Sequence, residues 1–196
     1  MRPRDEYKEQ QIRQKAIEMI VKEGLDGFGI NKLAKAAGVS PATIYIYYKD
    51  KEELITNLCI GVAEKMMAFS LQNFSPEMDF AEGLKIQWQN RLNYFLQHPL
   101  DMEFIEIMRY TNFYEKVSQM LTNNFGAILG QFMRNAEEKG QLVPLPFEVY
   151  WSVAYAPLYQ LIKFHMQGNS YINSSFTLND KLMDQTLNLV LKALKP

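Results

Sequence analysis

One cysteine and two histidines are all that this chain of 196 residues offers as thiolate or imidazole ligands. A lone Cys59 excludes an internal disulfide and any multi-cysteine metal site. His98 and His165 lie far apart in sequence, and no HExxH, GxSxG, glycine-rich phosphate loop or Cys/His cluster is present. Carboxylate pairs such as Glu103/Glu106 and Glu137/Glu138 read as solvated helix faces. No catalytic residue, metal site or cofactor is therefore expected. Long hydrophobic runs are also missing. The most apolar region, 149–162, is too short to cross a bilayer and is broken by Ser152 and Gln160. The opening MRPRDEYKEQQ lacks the apolar stretch of a secretory leader. Both point to a cytoplasmic protein. Charge of one sign is lacking too: a net charge of −1 excludes a general polyanion binder, so any nucleic-acid affinity must come from a local cluster.

What is present is helical periodicity. Ile12, Ala16, Met19 and Ile20 recur on one side of a stretch beginning at Glu6 and closed by Gly24. Further helices are expected near 30–37, 41–47, 50–73, 79–97 and 100–109, then one stopping at Gly140. Another covers 147–166, kinked at Pro157, and a last one covers 178–194. The fold class is all-α with about nine helices. No stretch alternates with period two, and there is no repeat. The natural parts are 1–50 and 51–196.

Residues 33–54, LAKAAGVSPATIYIYYKDKEEL, carry the most information. Ala34 is small enough for a second helix to cross closely. Gly38 can take a positive φ and stop the first helix sharply. Leu33, Ala37, Val39 and Ile44 are apolar where the two helices must meet. Ser40 can accept from an orphan N–H, and Pro41 then occupies the first helical position. Thr43, Tyr45, Tyr47, Lys49 and Lys51 follow, groups that bond phosphate oxygens or reach base edges. This is the layout of a helix-turn-helix. A helix–glycine–helix corner also occurs as plain packing, and tyrosines on a short helix are often core. Asp50 with Glu53 reads as a capping box opening the next helix.

The stretch from Gly24 through Leu54 resembles the DNA-binding domain of the TetR family of bacterial transcriptional regulators. The resemblance rests on Gly24, Leu33-Ala34, Ala37-Gly38-Val39-Ser40, Thr43-Ile44-Tyr45, Tyr47 and Lys51-Glu52-Glu53-Leu54. It implies an N-terminal three-helix DNA-binding domain followed by a helical ligand-binding and dimerisation domain. It also implies DNA contacts from Asn31, Lys32, Ser40, Thr43, Tyr45, Tyr47 and Lys51, to which side-chain chemistry adds Ala42 and Lys49 as candidates. Arg2, Arg4 and Lys35 complete the local basic cluster. Three positions depart from the family pattern: Gly29 replaces a capping Ser or Thr, Ala42 a frequent Gly, and Tyr48 a common Phe. One module would bind weakly, so a homodimer spanning half-sites about 34–36 Å apart is expected.

Of the 25 aromatic residues and 11 methionines, most follow residue 65. On segments that TetR-like architecture wraps around a cavity stand Phe69, Trp88, Phe95, Met102, Ile105, Met108, Phe113, Phe125, Phe132 and Tyr155. Tyr110 belongs to the same group. Arg109, Asn112, Gln87 and Tyr159 are candidate polar groups there. Plain core is the competing reading for each. The resemblance likewise implies a dimer interface containing Trp151, Leu158, Ile162, His165, Leu182, Leu189 and Val190, though these faces could simply close the monomer's own core. The expected function is a ligand-responsive regulator, a repressor released from a near-palindromic operator by a small, largely apolar effector. A DNA-bound adaptor without effector, or a helical lipid carrier or enzyme, are the rivals.

Overall fold

The computed structural model describes residues 5–196, and within these it is all-α. The order is α1 Glu6–Gly27, α2 Ile30–Ala36, α3 Pro41–Tyr47, α4 Lys51–Ser70, α5 Phe80–Gln97, α6 Pro99–Met108, α7 Phe113–Glu138, α8 Phe147–Ala154, α9 Ala156–Gln167 and α10 Asp180–Leu194. Ten helices stand where about nine were expected. Instead of one kinked helix over 147–166, the chain breaks at Tyr155 (φ −124°, ψ −29°), and Pro157 opens a new helix. Proline is tolerated in a first turn, whereas in a helix interior it removes a bond and clashes with the preceding turn. Gly24 breaks the first helix as expected, and α1 resumes across the kink. The glycine takes φ 72°, ψ 176°, and one further turn runs on to Gly27.

Packing divides the chain into two compact units, and the division falls elsewhere than at residue 50. One unit holds Met1–Lys65 with His98–Leu121; the other holds Met66–Gln97 with Thr122–Pro196. The first unit is larger than a three-helix domain because α1 packs on α6. Its core joins Ile12, Ala16 and Ile20 to Leu33, Ile44, Leu54, Leu58, Phe104, Ile105, Met108 and Val117. Burying so many aliphatic side chains, at about 1.5–3 kcal/mol each, fixes the angle at which the short helices α2 and α3 are presented.

In the second unit α5 packs on α9, and α8, α9 and α10 pack on one another. Trp88, Phe95, Phe132, Tyr150, Tyr155, Leu158 and Ile162 are buried there. Gly83 permits a close approach: a Cβ at this position would lie 2.7 Å from the Phe132 ring. That ring in turn stacks on Phe80 and meets Phe74 edge-on. No helix among the described residues is long and apolar enough to cross a membrane.

Candidate nucleic-acid interface and effector core

Gly38 (φ 66°) turns the chain after α2, and Val39 N–H donates to Ala34 O at 2.9 Å. Ser40 Oγ accepts from Thr43 N at 3.2 Å and lies 2.9 Å from Thr43 Oγ1. Pro41 opens α3, whose Ile44 is buried against the core. The capping serine, the proline and the buried isoleucine stand as the sequence requires. At α2, Gly29 is the N-cap and supplies no side-chain acceptor. Asp50 Oδ1 accepts from Glu53 N at 2.8 Å, while the Glu53 carboxylate reaches back to Lys49 N rather than to Asp50 itself.

The outward side of this corner carries Asn31, Lys32, Lys35, Ser40, Ala42, Tyr45, Lys49 and Lys51, all exposed, with Thr43 half-buried. A surface depression beside α3 is lined by Asp26, Gly27, Phe28, Gly29, Ile30, Asn31, Lys32 and Tyr45. Two of the cations also brace the unit. Lys32 Nζ donates to Gly27 O (3.0 Å) and pairs with Glu23 (3.3 Å). Lys51 Nζ donates to Phe28 O (2.8 Å) above the Phe28 ring.

Tyr47 departs from the expectation of an outward contact. It is buried, and its hydroxyl donates to Asp5 O (3.1 Å) and accepts from Asp5 N (3.3 Å), so it ties α3 to the start of α1. Position 47 falls three residues after the buried Ile44, on the same face of α3, and that spacing turns the ring inward. Tyr48 is buried as a core plug, its hydroxyl bonded to Glu9; burial pushes its phenol above the ordinary value. Ile46, not among the expected contacts, is 57% exposed beside Tyr45. Arg2 and Arg4 lie outside the described residues.

The expected pocket residues fall in two different cores. Met102, Ile105, Met108, Arg109 and Phe113 belong to the first unit, where Ile105 and Met108 join the core beneath α1. Arg109 is exposed, pairs with Glu106 at 3.4 Å and stands over Tyr114. Tyr110 and Asn112 are exposed too. Phe69, Trp88, Phe95, Phe125, Phe132, Tyr155 and Tyr159 belong to the second unit.

There a polar cluster sits among aromatic rings. Tyr155 donates to Gln87 Oε1 at 2.7 Å, and Trp88 Nε1 donates to Ala154 O at 2.8 Å. The fully buried Arg91 donates from Nη1 to Gln87 Oε1 (3.1 Å) and from Nε to Tyr159 Oη (3.2 Å). Its guanidinium lies 4.4 Å from the Tyr155 ring centre. Burial holds the phenols of Tyr150 and Tyr155 above their ordinary range although the arginine's charge pulls the other way, so both stay protonated. Arg91 escaped the sequence reading. Its signal was an arginine on the apolar stripe Leu84, Trp88, Phe95, spaced by three and four.

Of the expected interface residues, Leu158, Ile162 and Val190 are buried within the single chain. Leu182 and Trp151 are half-buried, and Leu189 is 60% exposed. His165 Nδ1 accepts from Leu178 N at 3.2 Å, closing the loop between α9 and α10.

Residues 12–58 match the family model described as bacterial regulatory proteins, tetR family. A TetR-family regulator from Marinobacter aquaeolei superposes with a TM-score of 0.85 over 100% of this chain and 99% of that one, at 26% identity. Residues 12–58 thus carry a DNA-binding domain of the TetR family. An uncharacterized HTH-type transcriptional regulator of Haemophilus influenzae is 37% identical over 79 residues, 40% of this chain and 42% of that protein. The chain spans less than half the length of the curated relatives it matches. The regulator FadR of Bacillus subtilis, solved with stearoyl-CoA, shares the fold: TM-score 0.71, 20% identity, 95% of this chain and 99% of that one. TetR proteins are transcriptional regulators, not enzymes.

Proposed function

We propose that this TetR-family chain acts as a homodimeric repressor, released from a near-palindromic operator by a small, largely apolar effector. The observation that carries the reading is the outer face of α3. Ala42, Tyr45 and Ile46 are exposed beside Thr43, on a helix capped by Ser40 and seated on a rigid core. Tyr45, Thr43 and Ala42 suit base edges and thymine methyls, and Lys49, Lys51, Lys32 and Asn31 suit the flanking phosphates.

Dimerisation falls to α9 and α10. Leu182, Thr186 and Leu189 follow one another at four- and three-residue spacing along α10, half-buried or exposed in the single chain. Effector binding in the larger unit would favour a position of α4 that changes the separation of the two reading heads. A coupling of about 1–3 kcal/mol changes occupancy five- to 150-fold. The FadR likeness supports an effector, since that regulator of the same fold was solved with stearoyl-CoA.

Genome-wide mapping of bound DNA, repeated with a Thr43→Ala, Tyr45→Ala double variant, tests the reading. Loss of the mapped sites with an intact fold is expected; undiminished occupancy would sink it. A DNA-bound adaptor without effector is favoured by one observation, the full burial of Trp88, Phe132 and Tyr155. That second reading predicts that no small molecule releases the operator.

A further inference from the structure

Arg91 has no exposed surface and no carboxylate among its partners. A guanidinium stays charged, and a buried charge without a countercharge is strongly destabilising. Its two edges are held differently. Nη1 is anchored by Gln87, donating to the backbone O (3.3 Å) and to Oε1 (3.1 Å). The opposite edge, Nε and Nη2, is the fork that grips a carboxylate with two parallel bonds. Here it meets a phenol oxygen, Tyr159 Oη at 3.2 Å, and a thioether, Met67 Sδ at 4.0 Å. Both acceptors are neutral, and the sulfur is weak.

A second buried group is left over. Gln87 Oε1 accepts from both Tyr155 and Arg91, which fixes the orientation of the amide, and its Nε2 is buried with no hydrogen-bond partner. An orphaned buried donor destabilises the fold. The same cluster therefore holds an uncompensated cation and a spare N–H, both wanting an anionic acceptor. Tyr159 and Trp151, which flank the guanidinium, are only half-buried.

We propose that Arg91 is the head-group receptor for a carboxylate borne on an apolar body. One carboxylate oxygen would displace Tyr159 Oη from Nε, and the other would take Nη2 in place of the Met67 sulfur. The run of rings that starts at Tyr159 and continues through Phe95, Tyr94 and Phe69 would receive the apolar part. This deepens, and rests on, the reading of an effector-released repressor: it specifies a free acid, not a neutral lipid and not an acyl thioester.

The test uses the full chain, with thermal unfolding and operator anisotropy as readouts. The probes are octanoate, dodecanoate, hexadecanoate and 4-phenylbutyrate, their matched alcohols, and dodecanoyl-CoA. At least one carboxylate should raise the unfolding midpoint and release the operator, binding about ten-fold or more tighter than its alcohol. Arg91→Lys keeps the charge but loses the fork, and should erase most of that preference. Should the arginine variant fail to fold, Tyr159→Phe serves. It vacates Nε while keeping the ring against Phe95, and should tighten the carboxylate several-fold and leave the alcohol unchanged. Alcohols or the thioester binding as well as the acids, or no acid binding, would overturn the proposal. In those cases the repressor reading still stands if the mapped operator is bound through Thr43 and Tyr45, and it falls if no operator is found or the double variant keeps its sites.

Discussion

Arg13 of α1 lies across Gly61 of α4. Its Nη2 donates to Asn57 O at 3.1 Å, and a Cβ at position 61 would meet that nitrogen at 2.0 Å. Glycine in a helix interior costs about 1 kcal/mol relative to alanine, so it stands here because the guanidinium needs the space. Gly61→Ala should gain helix propensity and lose the brace, leaving stability within about 1 kcal/mol of the parent. The decisive measurement is a double-mutant cycle in urea. Arg13→Ala should cost about 1 kcal/mol in the parent chain and nothing in the Gly61→Ala background. Equal costs in both would show that the bond contributes nothing.

Much of the DNA-facing corner was legible in the sequence because its chemistry is local. Gly38, Ser40, Pro41 and Asp50 each act on a backbone group within three or four residues, so type and spacing suffice. The inward turn of Tyr47 was not legible because its partner, Asp5, is 42 residues away. Ile105 and Met108 were placed around a cavity because helical spacing says that a residue is inside, not inside which core; only the packing of α6 on α1 decides that. Arg91 was missed for the same reason that Arg109 was chosen. Composition cannot tell a guanidinium at a helix end from one turned into an aromatic core.

Tyr47→Phe removes a hydroxyl that both accepts from and donates to the Asp5 backbone. Stability should fall by about 1 kcal/mol. Operator affinity should change less than in Tyr45→Ala, because the ring faces the core and Tyr45 is 53% exposed. Fluorescence anisotropy at fixed salt compares them; a larger loss for Tyr47→Phe would return that hydroxyl to the contact surface.

Gly29 opens α2 with an extended backbone (φ −151°, ψ 146°), and a Cβ there would meet nothing within 4 Å. Gly29→Ser should therefore add a capping acceptor without strain and stabilise the chain by a few tenths of a kcal/mol. Chemical denaturation measures it, and a destabilised variant would show that the position needs glycine for another reason.

Alkaline stability follows from the buried acids. Burial pushes the Cys59 thiol up to about 12, and raises the phenols of Tyr48, Tyr150 and Tyr155 as well. In each case the folded chain holds its proton more tightly than the unfolded one. Their stabilising contribution is full below the unfolded values and is lost as pH rises through the folded ones. Stability should begin to fall as pH passes about 9, the thiol's ordinary region, and Cys59→Ala should flatten the first part of that decline. Cys59 should also resist thiol reagents at pH 8 until the chain unfolds; rapid labelling of the native protein would contradict its burial.

Lys49 and Lys51 separate two ways in which a lysine can matter at this surface. Lys49 is exposed on the link between α3 and α4, whereas the Lys51 ammonium is already bonded to Phe28 O and stands over its ring. A phosphate reached by either displaces counterions, so losing that contact should reduce the salt slope of operator binding by about one. Lys49→Gln should do only this, weakening all sequences alike at unchanged stability. Lys51→Gln should show the same slope change and also lose about 1–2 kcal/mol of stability, since the carbonyl at the end of α1 loses its charged donor. If Lys51→Gln lowers stability yet leaves the slope untouched, Lys51 is a brace for α1 and the flanking phosphate belongs to another cation.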